Sequence, residues 1–173
     1  DKLAYMPYYR ESRRVQGLAR LKINHIAKPF DYGYYRTGIS VGDYPIDHHH
    51  KKNPAAPQHL DFYSVPSYNI PLGSLIPHNV SGLIVCDKSI SVSNVVNGTT
   101  RLQPVVLLTG QAAGMLAALC VRKNKEARAI PVREVQQELL NSNAMIMPYI
   151  DAGINHPHFQ SIQRIGAAGI LRG

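Results

Sequence analysis

Three groups of residues in this sequence are of types and at spacings that could do chemistry. The first is Arg10-Glu11-Ser12-Arg13-Arg14. On an extended strand Arg10, Ser12 and Arg14 share one face, while Glu11 and Arg13 share the other. Glu11 and Arg13 can then pair, which leaves Arg10 or Arg14 to clamp a carboxylate or position a cofactor. The same pattern suits an ion-pair ladder bridging two domains. The second group is Asp47-His48-His49-His50, with Tyr44 and His59 nearby. Adjacent histidines on a strand point to opposite faces, so at most His48 and His50 share a site, and no metal centre is expected. A loop offering one acid/base, His48, is the better reading. The third group is Arg101, Leu102 and Gln103, just ahead of Pro104. If a helix starts there, its first backbone N–H groups are unpaired and carry a partial positive charge that stabilises an anion.

Elements that would position these groups follow from periodicity. Residues 1–45 read as β structure, with Val15, Leu18 and Leu21 alternating loosely and a second β-prone run over 34–44 broken by Gly38 and Gly42. Residues 46–67 read as a loop. A strand is expected over 68–76, with Pro71 marking an edge or bulge. A short apolar strand follows at 83–86, then a polar loop over 87–103. The next helix spans 104–123, with Pro104 in its first turn, Arg122 and Lys123 near its negative pole and Asn124 at its end. Gly110, Ala113, Gly114 and Ala117 give it a smooth ridge suited to close packing; glycine inside a helix costs about 1 kcal/mol, so two one turn apart suggest a steric reason. A second, amphipathic helix is expected over 131–141, with Val132, Val135 and Leu139 on one face. A linker follows at 143–155. Phe159, Ile162 and Ile165 then form a helical stripe in 156–173. That last segment resembles the opening helix of a surface-layer-homology-like repeat, or is a C-terminal helix packed on the same core.

The chain has 173 residues, 45% of them hydrophobic and 17% charged, the composition of an ordinary folded domain. Its net charge of +8 is concentrated early, in Arg10, Arg13, Arg14, Arg20, Lys22 and Lys28. That suits an anionic ligand or a surface covered by another domain, and no nucleic-acid motif accompanies it. Cys86 and Cys120 fall in apolar segments and are expected to be free, buried thiols. No apolar run long enough to span a bilayer stands out. The compartment is left open, bacterial cytoplasm or beyond it.

Arg101-x-x-Pro104 followed by Gly110-Gln111-Ala112-Ala113-Gly114, with Pro7-Tyr8-Tyr9-Arg10-Glu11-Ser12-Arg13-Arg14 upstream, resembles the FAD-dependent oxidoreductase family whose members carry Arg-Glu-Ser-Arg-Arg. The resemblance covers roughly 5–125, and the most similar members look like bacterial proteins often labelled xanthan lyases. It implies an α+β chain with an antiparallel β portion of a substrate domain over 1–80. The returning strand, loop and long helix of an FAD-binding α/β domain would occupy 81–125, with helix and linker over 126–155 and the C-terminal segment beyond. It also implies that the loop 97–103 meets the flavin, through Asn97, Gly98, Thr100 and the start at Arg101, Leu102 and Gln103. Arg10, Arg14 and His48 become the substrate or proton-transfer candidates. Many members have Ala-Gly-Arg after the strand where this chain has Cys86-Asp87-Lys88, which removes the close backbone approach that glycine allows but would let Asp87 accept a ribityl hydroxyl of the cofactor. None of the 13 glycines makes the Gly-x-Gly-x-x-Gly turn that receives a pyrophosphate. The expected partners are therefore a separate dinucleotide-binding half and a small-molecule or saccharide substrate, with self-association through the uncovered ridge. The chain alone would neither retain FAD nor turn over. Two other functions are open: a polysaccharide lyase using Tyr44, His48 and Arg10, and a non-catalytic glycan- or surface-binding module.

Overall fold

The computed structural model describes residues 9–10, 13–48 and 61–171. In chain order these form α1 (Ile23–Ala27), β1 (Gly38–Gly42), β2 (Ile46–Asp47), β3 (Asp61–Tyr63), β4 (Tyr68–Pro71), α2 (Asn94–Thr100), α3 (Gln103–Lys123), α4 (Val132–Asn141) and α5 (Phe159–Ala168). The class is α+β, with β1 antiparallel to β4 and β2 antiparallel to β3.

α3 organises the core. It begins beside Pro104 and ends on Asn124, whose φ of 50° is the left-handed conformation that asparagine tolerates. Val105, Thr109, Ala112, Leu116 and Leu119 recur at alternate spacings of four and three, and this stripe is buried. It lies against β1 and α4. Arg122 and Lys123 at its end pair with Glu138 (2.7 Å) and Glu134 (2.9 Å) of α4.

The opposite face of α3 is bare among the described residues. Leu107 is 71% and Val121 83% exposed, and a Cβ added at Gly110 or Gly114 would meet nothing within 4 Å. The ridge that invites close packing is thus unmatched here. Because α3 is apolar on both faces, it is also long and apolar enough to cross a membrane by length and composition, with a mean hydropathy of 1.8. That differs from the expectation that no run would reach this length.

The β readings hold only in part. Among the described residues of 1–45 the one strand is β1. Residues 15–21 bend at Leu18–Ala19, bridge only at Gly17 and Leu21, and change partners: the Leu18 N–H donates to the Ile76 carbonyl, Ala19 to Gly73 and Leu21 to Ser91. No continuous ladder forms from such switching. β4 stops at Pro71, which cannot donate, and the β1–β4 register shifts between Gly38 and Ser40. The supposed loop at 46–67 contributes β2 and β3, with Ile46 opposite Tyr63. Residues 83–86 are not a strand. The Val85 N–H donates to the Leu75 carbonyl (2.8 Å), no ladder forms among the described residues, and Leu83 is 44% exposed. Cys86 is likewise exposed and Cys120 half-buried, and both are free rather than buried thiols.

Two irregular stretches prove structured. Residues 94–100 form α2 instead of loop, because Ser93 caps the start by accepting the Val96 N–H and burial of 96–100 outweighs the weak helix propensity of its β-branched residues and glycine. Residues 143–155 carry Ala144, Ile146, Met147, Tyr149 and Ala152 into the interior. Gln163 of α5, fully buried, accepts the N–H groups of Ile146 (2.8 Å) and Met147 (2.7 Å) and donates to the Met147 carbonyl (3.0 Å). One amide thereby satisfies three backbone groups of a segment with no ladder of its own.

Candidate functional site

α2 gathers the residues singled out by chemistry. The β2 strand runs beside it and delivers Asp47 and His48. His48 is 2% exposed, and its Nε2 lies 3.1 Å from the Val95 carbonyl. A carbonyl only accepts, so Nε2 carries a proton in this contact. The ring lies close over Gly98: a Cβ there would come within 2.7 Å of His48 Cδ2 and 2.9 Å of the Asp47 carbonyl. Glycine is required by that approach, not by its backbone angles.

Thr99 and Arg101 complete the attachment. The Thr99 hydroxyl donates to the Tyr44 carbonyl (2.6 Å), so the Tyr68 hydroxyl 2.8 Å away must be the donor in their mutual bond. Burial pushes the Tyr68 hydroxyl well above the ordinary tyrosine range, which keeps it a donor at any physiological pH. Arg101, 2% exposed, donates through NH2 to the Asp47 carbonyl (2.7 Å) and lies 3.5 Å from the Asp47 carboxylate. Its backbone N–H goes to the Asn97 carbonyl (3.2 Å) and closes α2, so it is not an unpaired donor at the start of α3.

The candidate residues thus separate into two sets. Asn97, Gly98, Thr100 and Arg101 are buried. Thr100 donates to the Val96 carbonyl, and Asn97 Nδ2 donates to the Arg10 carbonyl (3.3 Å), while Asn97 Oδ1 has no hydrogen-bond partner among the described residues. Leu102, Gln103 and Asp87 are nearer the surface, with Gln103 exposed. Leu102 offers no side-chain cap to α3, and no acidic residue occupies the first turn. That leaves the positive pole of a 21-residue helix without a counter-charge of its own. Asp87 has a φ of 62°, the left-handed region that favours glycine, and its carboxylate lies 3.3 Å from the Lys88 ammonium.

Arg10 is exposed, and it reaches α2 through its backbone. Arg14, half-buried, lines a cleft of about 400 Å³ with Arg13, Gln16, Arg20 and Val92. No strand includes residues 10 or 14; Glu11 and Ser12, and with them the expected Glu11–Arg13 pair, lie outside the described residues, as do His49, His50 and His59. No cluster of three metal-ligating side chains occurs among the described residues. Reasoning from types and spacing passed over Thr99 and the Asp47–Arg101 pair. The signal for them was Ser93, an N-cap residue that would have placed 94–100 on a helix.

A family model described as FAD dependent oxidoreductase matches residues 1–139. No curated protein and no solved structure is similar enough to add to that match.

Two substitutions check this geometry. Gly98→Ala should destabilise the fold by about 1–3 kcal/mol through the displaced His48 ring, less whatever alanine gains in helix propensity. Denaturant unfolding and the His48 imidazole NMR signals would report it, and a more stable protein with unmoved His48 signals would contradict the packing. Asp87→Gly should stabilise by up to about 1 kcal/mol by relieving the left-handed backbone. A lower urea midpoint would mean instead that the aspartate side chain contributes more than the strain costs.

Proposed function

The chain belongs to the FAD dependent oxidoreductase family, and on that premise we propose that it is the C-terminal portion of a flavoprotein that moves a hydride between FAD and a small or carbohydrate-like substrate. The observation that carries the placement is the uncapped start of α3. Backbone N–H groups at Leu102 and Gln103 supply a fixed partial positive charge there, suited to the N1–O2 edge of a reduced flavin. Bound FAD supplies the two-electron chemistry.

The other residues divide the remaining tasks. Arg101, Asn97, Gly98 and Thr100 support the helix start from beneath, since all four are buried. Asp87 is placed to accept a hydrogen bond from a ribityl hydroxyl. Arg14, with Arg13 and Arg20, holds an anionic group of the substrate in the basic cleft. Arg10 ties the segment that leads into that cleft to α2 through its carbonyl, which accepts from Asn97. For His48 to move a proton at Nδ1, a substrate must reach the wall that β2 forms over α2.

No Gly-x-Gly-x-x-Gly turn occurs in the sequence, so residues outside it bind the adenosine diphosphate part of FAD. The exposed ridge of α3 is the face assigned to that partner half, and exposed to water it invites self-association. On this reading the chain by itself retains no FAD and does not turn over.

In the FAD-loaded parent, Gln103→Asp places a carboxylate at the helix start and should lower the flavin midpoint potential by roughly 10–40 mV. An unchanged potential, measured by spectroelectrochemical titration, would remove the start of α3 from the flavin.

A further inference from the structure

Far from α2, helices α4 and α5 enclose a cleft of about 220 Å³ between Arg133, Gln137, Leu140, Ile146, Arg164 and Ala167. Its surface is mostly apolar, yet two guanidinium groups stand over it. Arg133 donates to Gln136 Oε1 (2.6 Å) and to the Ala167 carbonyl (2.9 Å). Arg164 donates to Gln137 Oε1 (3.1 Å) and Gln160 Oε1 (3.0 Å). Every one of these acceptors is neutral.

The charges around the cleft are sorted. The glutamates of α4, Glu134 and Glu138, are committed to Lys123 and Arg122 of α3. Among the described residues no carboxylate pairs with Arg133 or Arg164. A third guanidinium, Arg36, is close enough to Arg133 to add to burial in lowering its proton affinity. Like charges held together without a counter-ion are costly, and an incoming anion would relieve that cost. Each guanidinium has five N–H donors, so both retain donors beyond the bonds already made.

We propose that the α4–α5 cleft is a binding site for a small organic carboxylate, its apolar body on Leu140, Ile146 and Ala167 and its carboxylate held by Arg133 and Arg164. An apolar floor with a few convergent polar groups is the usual form of a small-molecule site. A planar guanidinium matches a carboxylate in a way that a lysine does not. The volume limits the ligand to about the size of benzoate or hexanoate. This site is independent of the flavin reading, and its whole α5 side lies beyond the residues that the family model matches.

The test is calorimetric titration of the full chain at low salt with benzoate and hexanoate, with benzyl alcohol and inorganic phosphate as comparisons. Saturable binding of one carboxylate per chain is expected, with benzyl alcohol and phosphate at least about tenfold weaker. Arg164→Gln, whose partners are surface glutamines, should weaken carboxylate binding by about tenfold while leaving the melting temperature unchanged. Arg133→Gln should do the same, although the loss of its bond to Ala167 can also loosen α5. The Arg164 Nε–H resonance of the native protein, which should shift on adding benzoate, keeps the test independent of that variant's stability. Absent saturation, equal binding of benzyl alcohol or phosphate, or undiminished binding by Arg164→Gln would overturn the proposal.

Discussion

The contact between Arg101 and Asp47 is the constraint on which the site depends. Both ends are withdrawn from water, with side-chain exposures of 3% and 19%. Removing the Asp47 carboxylate would leave the Arg101 guanidinium buried without that counter-charge, which is strongly destabilising. The pair fixes β2 against the junction of α2 and α3. Once β2 is there, His48 must lie over Gly98, and Thr99 must meet Tyr44 and Tyr68. The start of α3 is thus set from beneath by contacts that never reach a ligand.

α3 then joins two environments. Its inner stripe completes the core with β1 and α4. Its outer ridge is mostly small and apolar apart from Gln111, with two glycines that have open space around them. A helix interior bears the cost of two glycines most readily where another surface comes close. On the function proposed above, that surface would be the dinucleotide-binding half of a flavoprotein. The same helix therefore links the stability of this chain to the cofactor chemistry proposed for its parent.

The long elements were legible in the sequence and the short ones were not. α3 and α4 announced themselves by period, by Pro104 and by Asn124, because a helix is specified by its own residues. The supposed strand at 83–86 was apolar enough, but a strand exists only where a neighbour supplies a ladder, and none of the described residues does. α2 was hidden for the opposite reason: its Val, Thr and Gly content argues against a helix, and only burial against β2 makes it one. In the candidate site, His48 and Arg101 were singled out by residue type. Their packing was not legible: the Arg101 side chain meets Asp47 while its backbone N–H closes α2, and Gly98 lies under the His48 ring. Asp87 was noticed as a departure from a family glycine, and its left-handed φ shows why glycine belongs there.

The most direct measurement is the intact mass of the native polypeptide purified from its source, taken together with its visible absorption spectrum. The account predicts a mass well above the 19.2 kDa of this chain and a flavin spectrum that bleaches on reduction. A native mass of 19.2 kDa with no bound flavin would contradict it.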